Sequence, residues 1–154
     1  MPEAGTTIPD TVMETPDGGT VKPSDFKGQK LVIFFYPKDN TPGCTTEAKD
    51  FSELKAEFEK AGTAILGVSK DSPKKHQNFI AKHDLTVALA TDAEEGGLSD
   101  ELGVWTEKKM YGRTFMGMVR TTLLVDETGK IAQAWNKVKV KGHAEEVLAA
   151  AKSI

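Results

Sequence analysis

The sequence predicts an α/β fold, a mixed sheet flanked by helices, and three stretches carry that prediction. Leu31–Tyr36 (LVIFFY) is an unbroken apolar run short enough for a strand and rich in strand-favouring residues. Such a run suits a strand buried on both faces. From Cys44 to Lys60 the pattern turns helical, with Ala48, Phe51, Leu54 and Phe58 three or four apart, and Thr63–Val68 is a second buried strand. Strand, helix and strand with this crossover make a βαβ unit with parallel strands. The third stretch is a hairpin, Arg120–Asp126 and Lys130–Trp135, turning at Glu127-Thr128-Gly129.

Taken in order, residues 1–10 read as a loose or irregular lead-in. Thr11–Met13 and Thr20–Val21 flank Asp17-Gly18-Gly19, the signal of a small hairpin. Pro23–Phe26 reads as a short turn or helical loop, closed by Gly28 before the central strand. Ala61-Gly62 caps the Cys44 helix. Ser72-Pro73 starts the next helix, which runs to about His83 and turns Phe79 and Ile80 inward. Thr86–Ala90 is a weaker strand, Asp92–Gly97 a polar loop, and Leu98–Leu102 a short helix ended by Gly103. Residues 105–117 show the least regular pattern and read as a surface loop near the site. Their apolar side chains, Trp105, Met110, Tyr111, Phe115 and Met116 with the neighbouring Met118, could cover the site or form a dimer contact. His143–Ala151 is an amphipathic helix with Val147, Leu148 and Ala151 on its inner face.

With 154 residues, a single domain spanning 1–154 is the natural reading. Apolar residues at 38% and charged residues at 28% match ordinary soluble globular chains. No stretch approaches the ~20 apolar residues of a membrane span. MPEAGTTIPD has neither the basic nor the apolar part of a secretory signal, so the cytoplasm is the expected compartment. The net charge of −3 and the lack of a concentrated basic patch argue against nucleic acid. KVKVK (137–141) reads as a solvated strand edge whose lysines discourage pairing. His76, His83 and His143 are too scattered to form a metal site.

The element order fits a thioredoxin fold with an N-terminal hairpin and a central insertion. In that fold strand 120–126 runs antiparallel to strand 31–36, which delivers Arg120 beside Pro37 and the loop holding Cys44. Cys44 is the only cysteine, and it lies where the central strand gives way to a helix. There the helix dipole and free N–H groups favour an anion, and a thiolate is the anion on offer. The bland alternative is a small buried filler, as many lone cysteines are. Pro, Gly and two threonines surround this one instead of apolar partners. Arg120 adds a permanent cation that can hold a thiolate. Glu47, one turn past Cys44, either orients Arg120 or simply favours the helix start. Thr41 could equally be a turn or cap residue, and Arg120 a strand-entry surface charge.

Pro37-Lys38-Asp39-Asn40-Thr41-Pro42-Gly43-Cys44 resembles the peroxidatic-cysteine loop of peroxiredoxins, Pro-x-x-x-Thr-x-x-Cys. The longer FYPKDNTPGCTTEAKDF resembles the subgroup called bacterioferritin comigratory protein or peroxiredoxin Q. Further similar segments follow in order: GVSKDS, the His76 and Phe79 helix, GVWTEKK, RTTLLVDETGKI, and the tryptophan and Gly-His pair of AWNKVKVKGH. The resemblance implies a thioredoxin fold and a cofactor-free, thiol-dependent peroxidase serving antioxidant defence. It would reduce hydrogen peroxide and organic hydroperoxides through a Cys44 sulfenic acid. It also implies that the Thr41 hydroxyl bonds the peroxide and that Pro37 shields the thiolate, with Gly43 and Glu47 in support.

One departure stands out. Many members of the subgroup carry a resolving cysteine five positions after the first, where this chain has Lys49. The expected cycle therefore uses one cysteine, with an external reductant (thioredoxin, glutaredoxin, glutathione or another small thiol) resolving the sulfenate. A monomer is expected, with a weak homodimer as the alternative. The competing class is a thioredoxin-fold binding protein whose cysteine is a redox sensor. A dithiol oxidoreductase would need a Cys-x-x-Cys pair.

Overall fold

The computed structural model describes residues 2–154. Its strands are β1 (Met13–Glu14), β2 (Thr20–Val21), β3 (Lys30–Phe35), β4 (Thr63–Ser69), β5 (Ala88–Thr91), β6 (Trp105–Met110), β7 (Arg113–Met118), β8 (Thr121–Val125) and β9 (Ile131–Asn136). The helices are α1 (Pro42–Glu53), α2 (Lys55–Lys60), α3 (Pro73–His83), α4 (Leu98–Glu101) and α5 (His143–Lys152), with a 3-10 turn at Pro23–Phe26. Seven strands form one sheet in the order β2-β1-β5-β4-β3-β8-β9, while β6 and β7 pair apart from it.

β3 lies near the middle, parallel to β4 and antiparallel to β8. Its unbroken apolar run is explained by two cores. Val32, Phe34 and Tyr36 join Phe51, Phe58, Phe79 and Val147 on one side. Leu31, Ile33 and Phe35 join Leu66, Val68, Leu98 and Leu123 on the other. Period-2 alternation with both faces covered leaves no place for a polar residue. Phe34 stacks on Phe51 at 4.7 Å, which fastens α1 to the strand it follows. Gly67 makes room for this: a Cβ there would lie 2.6 Å from the Phe34 ring.

Several elements differ from the sequence reading. The helix after Cys44 is two segments, interrupted at Leu54, although Leu54 N–H still reaches Asp50 O at 3.3 Å and Phe58 N–H reaches Leu54 O at 3.0 Å. The interruption is a kink. β5 begins at Ala88 because Thr86 is bound to the end of α1, its N–H donating to Ser52 Oγ at 3.1 Å and its hydroxyl to Ser52 O at 3.2 Å. The N-terminal arm is tied down: Gly5 N–H donates to Ile131 O, Ile8 N–H to Gly129 O, and Ile131 N–H to Thr6 O. Residue 1 of the expected lead-in lies outside the described residues.

Residues 105–118 form a regular antiparallel hairpin, where a surface loop was expected. Tyr111 and Gly112 both take positive φ, 52° and 74°, the two-residue turn that matches strand twist. Tyrosine is an unusual residue for that conformation, so only Gly112 advertised the turn. KVKVK is not a strand edge either. β9 stops at Asn136, Lys137 turns through φ 55°, and the segment leaves the sheet with Val138 N–H donating to Arg120 O at 2.9 Å.

Candidate active site

The site is built at the end of β3. Beyond Phe35 the chain makes a short loop and enters α1 with Thr41 at the N-cap, Pro42 first, Gly43 second and Cys44 third. Proline suits the first position because its missing N–H has no helical partner there. Thr45 N–H is the first to bond back, to Thr41 O at 2.9 Å. The Gly43 and Cys44 amides are thus first-turn donors without an intrahelical acceptor. They point out of the helix end at which negative charge is stabilised.

The pairing Phe35↔Thr121 puts the start of β8 beside the end of β3, and Arg120 stands one residue before β8. Its Nη2 donates to Cys44 Sγ at 3.2 Å and its Nη1 to Glu47 Oε1 at 2.6 Å. One guanidinium fork therefore spans two side chains one helical turn apart. Cys44 and Glu47 are each only 1% exposed. Burial by itself would lower the Arg120 pKa, yet Glu47 and Cys44 pull it above its ordinary value, so it stays a cation. Burial pushes the Glu47 carboxyl from 4.5 up to about 7, with Arg120 only partly opposing the rise. Glu47 Oε2 is buried without a hydrogen-bond partner. Desolvation outweighs a single ion pair here because one of the two oxygens has nothing to replace water.

Thr41 is half-buried, and its hydroxyl donates to Lys38 O at 2.8 Å. It makes no capping bond to a helix N–H. With its proton committed to Lys38, Oγ1 keeps its lone pairs for an incoming O–H. Gly43 lies against the arginine: a Cβ there would sit 3.2 Å from Arg120 Nη2. Pro37 and Lys49 are exposed. The structure thus brings Cys44, Arg120, Glu47 and Gly43 into one cluster, with Thr41 at the start of the same helix and Pro37 on the loop before it.

Two features escaped the sequence reading. Beneath the loop, His76 is fully buried, with Nε2 3.0 Å from Ala90 O and Nδ1 2.7 Å from Asp39 Oδ2. Nε2 must donate to the carbonyl, so His76 Nδ1 and Asp39 hold one further proton between them. Tyr36 OH donates to Asp39 Oδ1 at 2.6 Å, and Asp39 N–H donates to Asp71 Oδ2 at 2.8 Å. This network anchors the loop between β3 and α1 to α3. The second feature is Lys108 on the hairpin. Its stem crosses Gly117, and its ammonium donates to Met118 O. His83 contacts Asn40, and His143 bonds Thr122 Oγ1 at 2.8 Å. Among the described residues no group of three His, Cys, Asp or Glu is placed to hold a metal ion. No described helix is long and apolar enough to cross a membrane.

A buried cysteine held by an arginine at a helix start, on this sheet, is the centre of a thioredoxin-fold thiol protein. The chain belongs to the AhpC/TSA family, which it matches over residues 4–134. It is 45% identical over 146 residues to peroxiredoxin Bcp of Bacillus subtilis, covering 95% of this chain and 92% of that one. It is 53% identical over 126 residues to peroxiredoxin Bcp of Xanthomonas campestris, covering 82% and 78%. A solved structure of the Xanthomonas campestris bacterioferritin comigratory protein, studied for its alkyl peroxide reduction activity, superposes with a TM-score of 0.90. That match has 45% identity and covers 98% of each chain. The expected fold and subgroup are thereby borne out, including the lone cysteine that leaves no resolving partner.

Proposed function

We propose that this protein is a thiol-dependent peroxidase that reduces hydrogen peroxide and organic hydroperoxides in a one-cysteine cycle. The observation that carries the reading is Arg120 Nη2 at 3.2 Å from Cys44 Sγ, at the third residue of α1. The Cys44 thiolate attacks one peroxide oxygen, an S–O bond forms, and the O–O bond breaks. The leaving oxygen departs with the electron pair and takes a proton as an alcohol or water. Charge grows on the peroxide oxygens as it shrinks on sulfur. The Arg120 guanidinium and the Gly43 and Cys44 amides are stationed to follow it. Thr41 accepts the peroxide O–H and so orients it, and Pro37 narrows access to the sulfur.

An external thiol then attacks the sulfenic sulfur and expels hydroxide, which leaves as water. A second thiol releases the resulting mixed disulfide and regenerates Cys44. Thioredoxin, glutaredoxin, glutathione or another small thiol fits this role. A Cys44–Cys44 disulfide would require the first turn of α1 to open, since the sulfur is buried. We read residues 1–154 as one such domain, acting as a monomer in the cytoplasm, where a reducing thiol pool sustains the cycle.

The test is a mass spectrum of the intact protein after stoichiometric hydrogen peroxide, with and without thiol. One added oxygen, removed by thiol and absent from Cys44→Ser, is expected. No modification would defeat the reading. Oxidation once per molecule without turnover would instead favour a redox sensor.

A further inference from the structure

Arg120 faces more than Cys44 and Glu47. It also lines a recess of about 640 Å³ shared with Thr106, Glu107, Lys108 and Lys137. Three cations therefore surround this space against the single carboxylate of Glu107. Among the described residues neither Lys108 nor Lys137 forms an ion pair. The cations are brought there by separate devices. The Lys108 stem lies across Gly117, where a Cβ would come within 3.0 Å of it. Its ammonium spends one N–H on Met118 O and keeps two free. Lys137 is placed by the left-handed turn that ends β9 and by the bond from Val138 N–H to Arg120 O.

We propose that this recess binds the carboxylate of a small anionic thiol and presents that thiol to the oxidised Cys44. The inference rests on the peroxidase reading, since only a sulfenic Cys44 requires an external thiol each cycle. Hydrogen peroxide is neutral and gains nothing from free ammonium groups, whereas a carboxylate-bearing thiolate carries two negative charges into the recess. The carboxylate takes the free N–H groups of Lys108 and Lys137. The sulfur is left against Arg120, whose Nη2 lies 3.2 Å from the buried Cys44 Sγ, and it reaches that sulfur as the first turn of α1 opens. The thiolate attacks Cys44 Sγ, an S–S bond forms, and the S–O bond breaks to hydroxide, which is protonated to water. Burial and then Arg120 draw the Lys108 pKa below its ordinary value, with Cys44 opposing them. A bound carboxylate would relieve that cost.

The experiment is sequential mixing. The protein is first oxidised with one equivalent of hydrogen peroxide and the sulfenate is confirmed by mass. It is then reacted with 3-mercaptopropionate, 2-mercaptoethanol or cysteamine, and each rate constant is expressed per thiolate. At low salt 3-mercaptopropionate should exceed 2-mercaptoethanol by about ten-fold, with cysteamine slowest, as expected for one or two cations near an anion at a partly exposed site. The ratio should collapse toward one in high salt, where the screening length is only a few Å. It should also collapse in Lys108→Gln and in Lys137→Gln. Lys141→Gln, a lysine of the same cluster outside the recess, should keep it. Equal per-thiolate rates in the unmodified protein, or a preference that survives both substitutions, would overturn the inference while the peroxidase reading stands. Failure to form the sulfenate in the first mix would overturn both.

Discussion

Replacing Glu47 by Gln should remove a pH dependence of stability that the buried carboxylate imposes. Folding raises the Glu47 pKa from 4.5 to about 7, chiefly through burial. Between those values the folded chain binds a proton that the unfolded chain has released. Stability therefore falls as pH rises through this window, and the protonated-state advantage is gone above 7. At ~1.4 kcal/mol per pH unit the difference amounts to about 3 kcal/mol. Glutamine can still accept from Arg120 Nη1 through its carbonyl. Its amide nitrogen would take the place of the unpartnered Oε2, at a cost that does not change with pH. Denaturant or thermal unfolding of both proteins at pH 4.5, 6 and 8 isolates the effect, because every other titrating group cancels in the difference. The parent should lose about 3 kcal/mol relative to Glu47→Gln between pH 4.5 and 8, or ~6–12 °C in melting temperature for a chain of this size. Parallel curves would refute the argument that desolvation outweighs the Arg120 ion pair.

Arg120→Ala should slow sulfenate formation by about 100-fold or more, the scale of losing one preorganised donor to a developing charge, as read by stopped-flow with hydrogen peroxide. Arg120→Lys should not restore it, because one ammonium cannot repeat the fork to Cys44 and Glu47. Gly43→Ala should leave stability equal or higher, since alanine favours helix, yet slow the same step by roughly ten-fold by displacing Nη2 from its 3.2 Å approach. A rate equal to the parent's would show that Gly43 is free of this constraint. His76→Leu should cost about 3 kcal/mol or more in chemical unfolding, because Asp39 would stay buried with a partner missing. A loss below ~1 kcal/mol would mean that solvent reaches Asp39 freely.

How much was legible in the sequence differs from element to element. The run Leu31–Tyr36 declared a strand covered on both faces, and the helical spacing after Cys44 with the run Thr63–Val68 declared the parallel unit. The thioredoxin fold that the full element order fits then placed strand 120–126 antiparallel to 31–36, and with it came the meeting of Arg120 and Cys44 across 76 positions. The hairpin at 105–118 was not legible, because its alternation is weak and its turn depends on a tyrosine in left-handed conformation. The arm at 5–8 was not legible either, since its strand partner lies more than a hundred residues away. The role of His76 was not legible, because the loop that places Asp39 against it could not be seen.

Local pattern by itself determined the central strands, the helix start and the place of the lone cysteine there, because periodicity and proline are properties of neighbours in the chain. Tertiary structure alone decided the burial that raises the Glu47 pKa, the closeness of Gly43 to Arg120 and the gathering of Lys108 and Lys137 beside it. Those depend on burial and on distances of a few Å between residues far apart in sequence. Desolvation and Coulomb energies change steeply over such distances, and no count along the chain supplies them.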